Sequence, residues 1–378
     1  MSRDLILVAL SMMIWGLGEG MFFFFEPLYL QQLGASPVMI GGILGGVGVA
    51  MTLSYLPAGY ISDRFGRRPL LWLAWLMGLS ATWLMALSRT LPAFVAGVIL
   101  YGATAFVVVP LNSYITAARG KWTVGRAITA ISASFSLGAI LGPLIGGWIG
   151  EQMGLQRTFL VAAVIFIFST LLIFFLRPQP VEPPHPDANG RGLRGLFLNT
   201  RYIRYLIIVF IVMFCIYLPQ PLSQNFLQNQ RSLNLAQIGQ LISARYLGVV
   251  VLNLILGQMN AQVGFLLSQI GMSLFTLLIW QGNSMPWYAL GYFLGGSYGT
   301  ARSLATAQGR ALIHHANMGL GYGMIETMSS TAIILAPPLA GYLYSLNPTL
   351  VYPVSLVLIG IAIMVTLAFS PIQRREID

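Results

Sequence analysis

Apolar runs of about twenty residues recur along the whole chain, separated by short stretches that hold most of its glycine, proline and charge. They fall near 5–32, 37–60, 69–88, 92–114, 125–149, 158–176, 203–222, 236–257, 262–281, 286–309, 318–345 and 350–370, about twelve in all. A helix of roughly 20 apolar residues spans a hydrocarbon core ~30 Å thick. Backbone groups in lipid must be satisfied within the protein, and no period-2 alternation marks a barrel, so the runs predict helical passages. The first run follows only Met1 to Asp4, is too long for a signal-peptide core and lacks a small-residue cleavage site. It is expected to be a retained helix.

Composition agrees: 57% of residues are hydrophobic and 8% charged, whereas a soluble domain carries about 25% charged residues. The net charge of +10 raises nucleic acid as a partner, but the positions of the charges argue against it. With the N-terminus inside, the cytoplasmic segments hold Arg3, Arg64, Arg67, Arg68, Arg119, Lys121, Arg126, Arg177, Arg191, Arg194, Arg201, Arg204, Arg310, Arg374 and Arg375. The outer loops hold Arg89, Arg157 and Arg231. This asymmetry predicts both termini on the cytoplasmic side of a cytoplasmic membrane, with the basic loops attracted to anionic lipid headgroups. A single cysteine, Cys215, excludes an intrachain disulfide and a multi-cysteine metal cluster, and its expected role is packing. No cofactor or metal is expected, and the chain is expected to be a monomer.

The segment RPQPVEPPHPDANGRGLRGLFLNTR, starting at Arg177, is the longest polar stretch and reads as a linker. It divides the chain into 1–176, the linker 177–202, and 203–378. The flanking halves still match faintly. At a shift of 198 residues Ile40, Gly41, Gly59 and Gly66 lie over Ile238, Gly239, Gly257 and Gly264. At a shift of 194, Pro143 and Gly147 lie over Pro337 and Gly341. Similar offsets at corresponding passages predict a duplicated six-helix unit. The expected fold is therefore an all-α membrane protein of twelve transmembrane helices in two pseudo-symmetric six-helix bundles.

Between the second and third passages, GYISDRFGRRPLLW sets one acid and three arginines against two nearly uncharged segments. Gly59, Asp63, Arg64, Gly66, Arg67 and Arg68 in this stretch resemble motif A of the major facilitator superfamily. Gly138, Gly142, Pro143, Gly146 and Gly147 in GAILGPLIGG resemble the fifth-passage motif of that superfamily's antiporter branches, and the glycine column also suits close helix packing. The resemblance covers the whole chain. It implies a gate: the Asp63 carboxylate meets the positive end of the eleventh passage and a neighbouring arginine, closing the cytoplasmic side in the outward-open state. A carboxylate at a helix N-terminus contributes ~0.3–1 kcal/mol, enough to bias two states without locking either. A topogenic loop with one solvated acid is the plainer reading.

An ionisable residue inside a passage costs at least ~2.5–3.5 kcal/mol at mid-bilayer and is a functional candidate by default. Glu19 and Glu26 lie in the first passage, two turns apart, on a face shared with Trp15, Phe22 and Phe23. Counting from Leu5, Glu19 lies ~21 Å along the helix and Glu26 ~31 Å, near the outer boundary. Burial favours the neutral form of a carboxyl, so Glu19 is the better proton carrier of the two and Glu26 also suits a wet rim position. Arg245, in the eighth passage, either receives a polar or anionic solute group or holds a carboxylate such as Glu19. Arg302 and Glu326 sit at similar depth on the tenth and eleventh passages, which suits an ion pair, structural or gating. Asn112, Tyr217, Gln220, Gln224 and Tyr298 are further candidates for solute contact, with Gln220 and Gln224 expected on one helix face.

Gly295 to Gly299 satisfy GxSxG, but inside an apolar helix and far from His185, His314 and His315, so a serine hydrolase is not expected. Walker, HExxH and dinucleotide motifs are absent. The resemblance and the first-passage acid point to a secondary transporter that alternates its access by rocking two halves about a central site and exports a small organic or amphipathic solute in exchange for protons. One departure stands out: drug antiporters of the superfamily carry an arginine four residues before a glycine in the fourth passage, and here the residue before Gly102 at that spacing is Val98. Uptake symport or facilitation of an anionic or zwitterionic solute through Arg245 and Arg302 therefore stays open, as does lipid flipping. MFFFF suits the last, unless Phe24 and Phe25 only face lipid.

Overall fold

The computed structural model describes residues 2–179, 199–309, 312–313 and 318–369, with the side chains of 55–65, 125 and 318–320 outside the description. The described residues form helices: α1 (Arg3–Phe22), α2 (Glu26–Gln32), α3 (Pro37–Phe65), α4 (Arg67–Leu87), α5 (Leu91–Ala103), α6 (Val108–Ala118), α7 (Val124–Met153) and α8 (Leu155–Phe174), followed after the linker by α9 (Thr200–Tyr217), α10 (Ser223–Arg231), α11 (Leu235–Leu256), α12 (Ala261–Gln281), α13 (Met285–Gly295), α14 (Ser297–Gly309), α15 (Met318–Leu346) and α16 (Val351–Phe369). Among the described residues, ten stretches are long and apolar enough to cross a membrane by length and composition. The pair α13 and α14, together with α15, completes twelve passages.

Local signals set the ends. The Ser2 hydroxyl accepts from the Leu5 amide, and Asn199 and Asn260 cap α9 and α12 in the same way. Gly66 alone joins α3 to α4, at φ 85°, a conformation that costs glycine little and other residues strain. Gly34 and Ser232, 198 positions apart, both take positive φ after the first and seventh passages. The duplication thus shows in backbone geometry where the residue types differ.

Four passages are not continuous, contrary to expectation. The first turns 3-10 at Phe23–Phe25, the fourth at Thr104–Val107, the seventh breaks between Tyr217 and Ser223, and the tenth at Gly296. Proline explains three of them, because its ring clashes with the carbonyl four residues earlier and it has no N–H to donate. Pro27 acts on Phe23, Pro110 on Phe106, and Pro219 with Pro221 interrupt the seventh passage. At the fourth, Thr104 also turns its hydroxyl back to the Tyr101 carbonyl at 2.6 Å. In the tenth, a side chain at Gly296 would strike the α11 backbone at Arg245 and Val249, so close helix approach fixes the break.

The chain forms two compact units. The first takes its described residues from Met1–Ser36, Gly46–Pro184 and Ser232–Ser243. Its core joins Leu5 and Val8 of α1, Leu71 and Trp75 of α4, Tyr114 of α6, Ile131 of α7 and Ile173 of α8. Gly138, Gly142 and Gly146 form a column along α7, and a Cβ on them would collide with the carbonyl oxygens of Met13, Leu17 and Met21 on α1. Gly147 lies as close to Leu235 and Gly239 of α11, and Pro143 stands within α7 against Gly20 and Gly239. The second unit takes its described residues from Pro37–Gly45, His185–Arg231 and Ala244–Asp378. There Gly41 and Gly341 meet across α3 and α15 beside Pro337, repeating the contacts of Gly239, Gly147 and Pro143.

Candidate functional site

The first unit holds a partly open cavity of about 360 Å³. Met12, Trp15, Glu19, Phe23 and Glu26 recur every three or four residues along α1 and its break, and together they form one wall. Val47 and Met51 of α3, Ala74 and Trp75 of α4, and Phe135 of α7 add to it. The fourth passage closes the rest with Val98, Tyr101, Gly102, Thr104, Ala105, Val107, Val108 and Leu111. The wall is apolar and aromatic apart from Thr104, the Tyr101 hydroxyl, the two indole N–H groups and the two carboxylates.

Glu19 is held from two sides. The Tyr101 hydroxyl donates to its Oε2 at 2.6 Å, and the Trp15 indole N–H reaches both that oxygen, at 3.1 Å, and the Tyr101 oxygen, at 3.2 Å. Trp15 cannot easily turn away. Its ring stacks on Phe166 with centroids 4.0 Å apart and lies 5.2 Å from Trp75, and a side chain at Gly78 would fill the space its ring tip occupies. Trp75 is fixed in turn by donating to Ser169 Oγ at 2.9 Å, and Ser169 and Ser11 exchange hydrogen bonds between hydroxyls and carbonyls. Hydrogen bonds at the α1/α8 seam thus fix Trp75, and ring contact passes that constraint to Trp15 and so to the Glu19 carboxylate.

Glu26 is different. It opens α2 directly after the 3-10 turn, it is buried at 3% exposure, and its Oε1 has no hydrogen-bond partner among the described residues. Of the two positions considered for Glu26, the buried one is found: beyond the 3-10 turn that precedes Pro27, Glu26 lines the cavity rather than a wet rim. Phe22 also leaves the expected face, since it is fully buried against Tyr101, Phe159 and Phe166 and does not line the cavity. Phe25 is fully buried and does not face lipid.

The second unit gathers its own polar cluster. Arg245 is buried and donates to Gln220 Oε1, an amide partner within its own unit. Gln220 also donates to the Ile216 carbonyl at 2.7 Å, Ser223 donates to the Gln220 carbonyl at 2.9 Å, and the Tyr292 hydroxyl meets Ser223 Oγ at 3.1 Å. Gln220 lies in the seventh-passage break and Gln224 beyond it on α10, so the single helix face expected for them is not formed; Pro219 and Pro221 are the reason. Tyr217 packs on Tyr298 with ring centroids 5.2 Å apart, and the Tyr298 hydroxyl is buried without a hydrogen-bond partner among the described residues. Arg302 and Glu326 form an ion pair.

Asn112 is exposed and lies outside the cavity lining. The side chains of Gly59, Asp63 and Arg64 lie outside the described residues, and the gate assigned to them is not located. Arg67, next to Gly66, donates to Gln179 Oε1 at 3.2 Å. Ser297 of the GxSxG match is buried between two helices, without the strand that a nucleophile elbow needs. Among the described residues no cluster of three His, Cys, Asp or Glu side chains could hold a metal.

The sequence reading missed Tyr101, Trp75, Thr104 and Phe135. Tyr101 carried a usable signal, because a phenol inside an apolar passage needs a partner for its hydroxyl.

Comparison with known proteins agrees with this architecture. The chain is 33% identical over 165 residues to the class C tetracycline resistance protein of Escherichia coli, covering 41% of this chain and 40% of that protein. It is 25% identical over 208 residues to multidrug resistance protein 1 of Bacillus subtilis (strain 168), covering 54% of each. The chain thus spans about half or less of the length of these relatives. Among solved structures, the nucleoside transporter NupG superposes with a TM-score of 0.80 at 14% identity, over 97% of this chain and 98% of that one, a likeness of fold. The family model of the Major Facilitator Superfamily matches residues 8–220, more than half of the chain, and the chain belongs to that superfamily.

Proposed function

We propose that this chain is a secondary transporter of the cytoplasmic membrane that exports a small, largely apolar organic solute in exchange for protons. One observation carries the reading: an apolar, aromatic cavity in the first unit holds two carboxylates and no basic side chain. Carboxylates placed in such a wall are expensive unless they exchange a proton or meet a cation. The drug-resistance names of the sequence relatives support an organic solute. In this reading Glu19 and Glu26 couple the proton, Trp15 helps to form the solute site, and each half, 1–176 and 203–378, folds as a six-passage bundle with both termini in the cytoplasm. Gly59, Asp63, Arg64, Gly66 and Arg67 form the inner gate.

Transport in proteoliposomes tests the reading. Efflux of a panel of labelled organic compounds is measured with and without an imposed pH gradient, for the native chain and for the Glu19→Gln, Glu26→Gln double variant. The native chain should show gradient-driven efflux that the double variant loses. Equal gradient dependence in both would remove the acids from the mechanism.

A second reading, uptake of an anionic or zwitterionic solute, is supported by Arg245, a cation at 8% exposure beside the unpartnered hydroxyl of Tyr298. Gradient-independent uptake of an organic anion that Arg245→Gln abolishes would favour it.

A further inference from the structure

We infer that Tyr101 is a positioning residue for Glu19: oriented by Trp15, its hydroxyl holds Oε2 as an acceptor and sets the pH at which this acid gives up its proton. The inference rests on the reading of Glu19 as a proton carrier and deepens it by naming the residue that regulates the carrier.

The donors around Glu19 can point only one way. An indole N–H donates and never accepts. That of Trp15 reaches Glu19 Oε2 at 3.1 Å and the Tyr101 oxygen at 3.2 Å, which directs the phenol proton to Oε2, at 2.6 Å. This spacing is typical of a hydroxyl on an ionised oxygen, ~2.5–2.7 Å. Two donors thus converge on one oxygen, and the proton is left to Oε1. Neither donor can easily turn away. Tyr101 is 7% exposed, with Phe22 edge-on to its ring at 5.2 Å, and Trp15 stacks on Phe166 at 4.0 Å. A hydrogen bond to the ionised form favours that form, so the phenol opposes the cost of keeping a carboxylate in an apolar wall. Few other groups compete with it. Glu26 is the other acid of the same passage at this cavity, and Tyr101 is the titratable group that the fourth passage brings to it. Facing the same space are Val47 and Met51 of α3, Ala74 and Trp75 of α4, and Phe135 of α7, none of which titrates. Among the described lining residues there is no basic side chain, so the phenol is the strongest donor within reach of Glu19.

Labelling with dicyclohexylcarbodiimide tests this, because the reagent modifies a buried carboxyl while it holds its proton and so reads occupancy without transport. The purified chain in detergent is labelled across a pH series, and adducts at Glu19 and Glu26 are resolved by fragment mass spectrometry. Labelling at Glu19 should fall as pH rises. Tyr101→Phe keeps the ring and removes the donor to the ionised form, so the midpoint at Glu19 should move up by about one pH unit, a ~10-fold gain in labelling rate above both midpoints. The midpoint at Glu26 should move much less. Incorporating 3-fluorotyrosine at position 101, a stronger donor of nearly the same shape, should move the Glu19 midpoint down, and this variant decides the matter if Tyr101→Phe does not fold. An unchanged or lowered midpoint in a folded Tyr101→Phe chain overturns the inference, as does an equal shift at Glu26, which would report only a looser wall. In proteoliposomes the acid limb of gradient-driven efflux should move up together with the labelling. If the labelling midpoint moves while the efflux profile stays native, the assignment of Tyr101 stands and the coupling role of Glu19 falls.

Discussion

The first and seventh passages break at matching places, and the two breaks are finished in opposite ways. At the shift of 198 residues, Phe25 corresponds to Ser223 and Glu26 to Gln224. In the second unit the groups around the interruption are tied together: Arg245 to Gln220, Gln220 to Ile216, Ser223 to Gln220, and Tyr292 to Ser223. In the first unit the break is lined with phenylalanine and followed by a buried acid whose Oε1 has no partner among the described residues. Membrane interiors tolerate irregular backbone where neighbouring groups satisfy it or where it borders a cavity. The seventh passage uses the first solution and the first passage the second. A duplicated fold has thus kept one kink as architecture and left the other chemically open.

The sharpest way to break that contrast is to remove the polar group at each kink and compare the signs. Gln220→Met takes an acceptor from a buried guanidinium, and hydrogen bonds to charged groups are worth ~1.5–3 kcal/mol, so the variant should unfold at a clearly lower temperature in detergent. Glu26→Met removes a buried acceptor with an unmade bond, a group that costs ~1–3 kcal/mol, so this variant should unfold at a higher temperature while losing gradient-driven transport. Destabilisation by both would mean that the first break is architecture as well.

Much of this was legible in the sequence, and the failures have definite causes. Passage number, the duplication, the motif at Gly66 and the glycine column at Gly138, Gly142 and Gly146 follow from long-range patterns that lipid imposes strictly. The kinks were harder because hydropathy averages over a whole passage. Pro27, Pro110, Pro219 and Pro221 mark three of them, yet Pro143 and the pair Pro337–Pro338 sit inside helices that continue. Proline therefore shows where a kink is permitted, and packing decides whether it forms. The burial of Glu26 followed from a kink and could not be read from depth along a straight helix. Asn112 carries an exposed side chain, and its position along a passage says nothing of the direction that side chain takes after the 3-10 turn at Thr104–Val107.

A smaller effect tests how the first unit holds its fixed acid. Ser169→Ala deprives the Trp75 indole of its acceptor and Ser11 of its hydroxyl partner. Interhelical hydrogen bonds in membrane proteins average ~0.6 kcal/mol and reach ~1.7, so the loss should fall near the upper value for this doubly used hydroxyl. Trp15→Phe keeps the ring stack but removes the N–H shared by Glu19 and Tyr101, and should cost about 1 kcal/mol by the same scale. Its sharper readout is transport: slower efflux of an organic solute with its pH-gradient dependence intact would place Trp15 in the wall and leave the coupling to the acids.

The smallest expected effect comes from Arg302, which like Arg245 lies within a passage of the second unit. Arg302 pairs with a carboxylate while Arg245 has a neutral amide, and charge alone would suggest that the ion pair matters more. Exposure reverses the order: the Arg302 and Glu326 side chains are 29% and 42% exposed, whereas Arg245 is 8% exposed. Where that exposed surface meets water, such pairs contribute ~0.2–1 kcal/mol, and a double-mutant cycle with Arg302→Gln and Glu326→Gln should then return a coupling energy in that range, shrinking as salt is added. A coupling well above ~2 kcal/mol, insensitive to salt, would show that the pair is shielded during the working cycle and would shift the gating role toward it. A small coupling with altered transport rates but unchanged thermal stability would instead assign it to the kinetics of opening, because a weak contact made in one state and broken in another changes populations without holding the fold together.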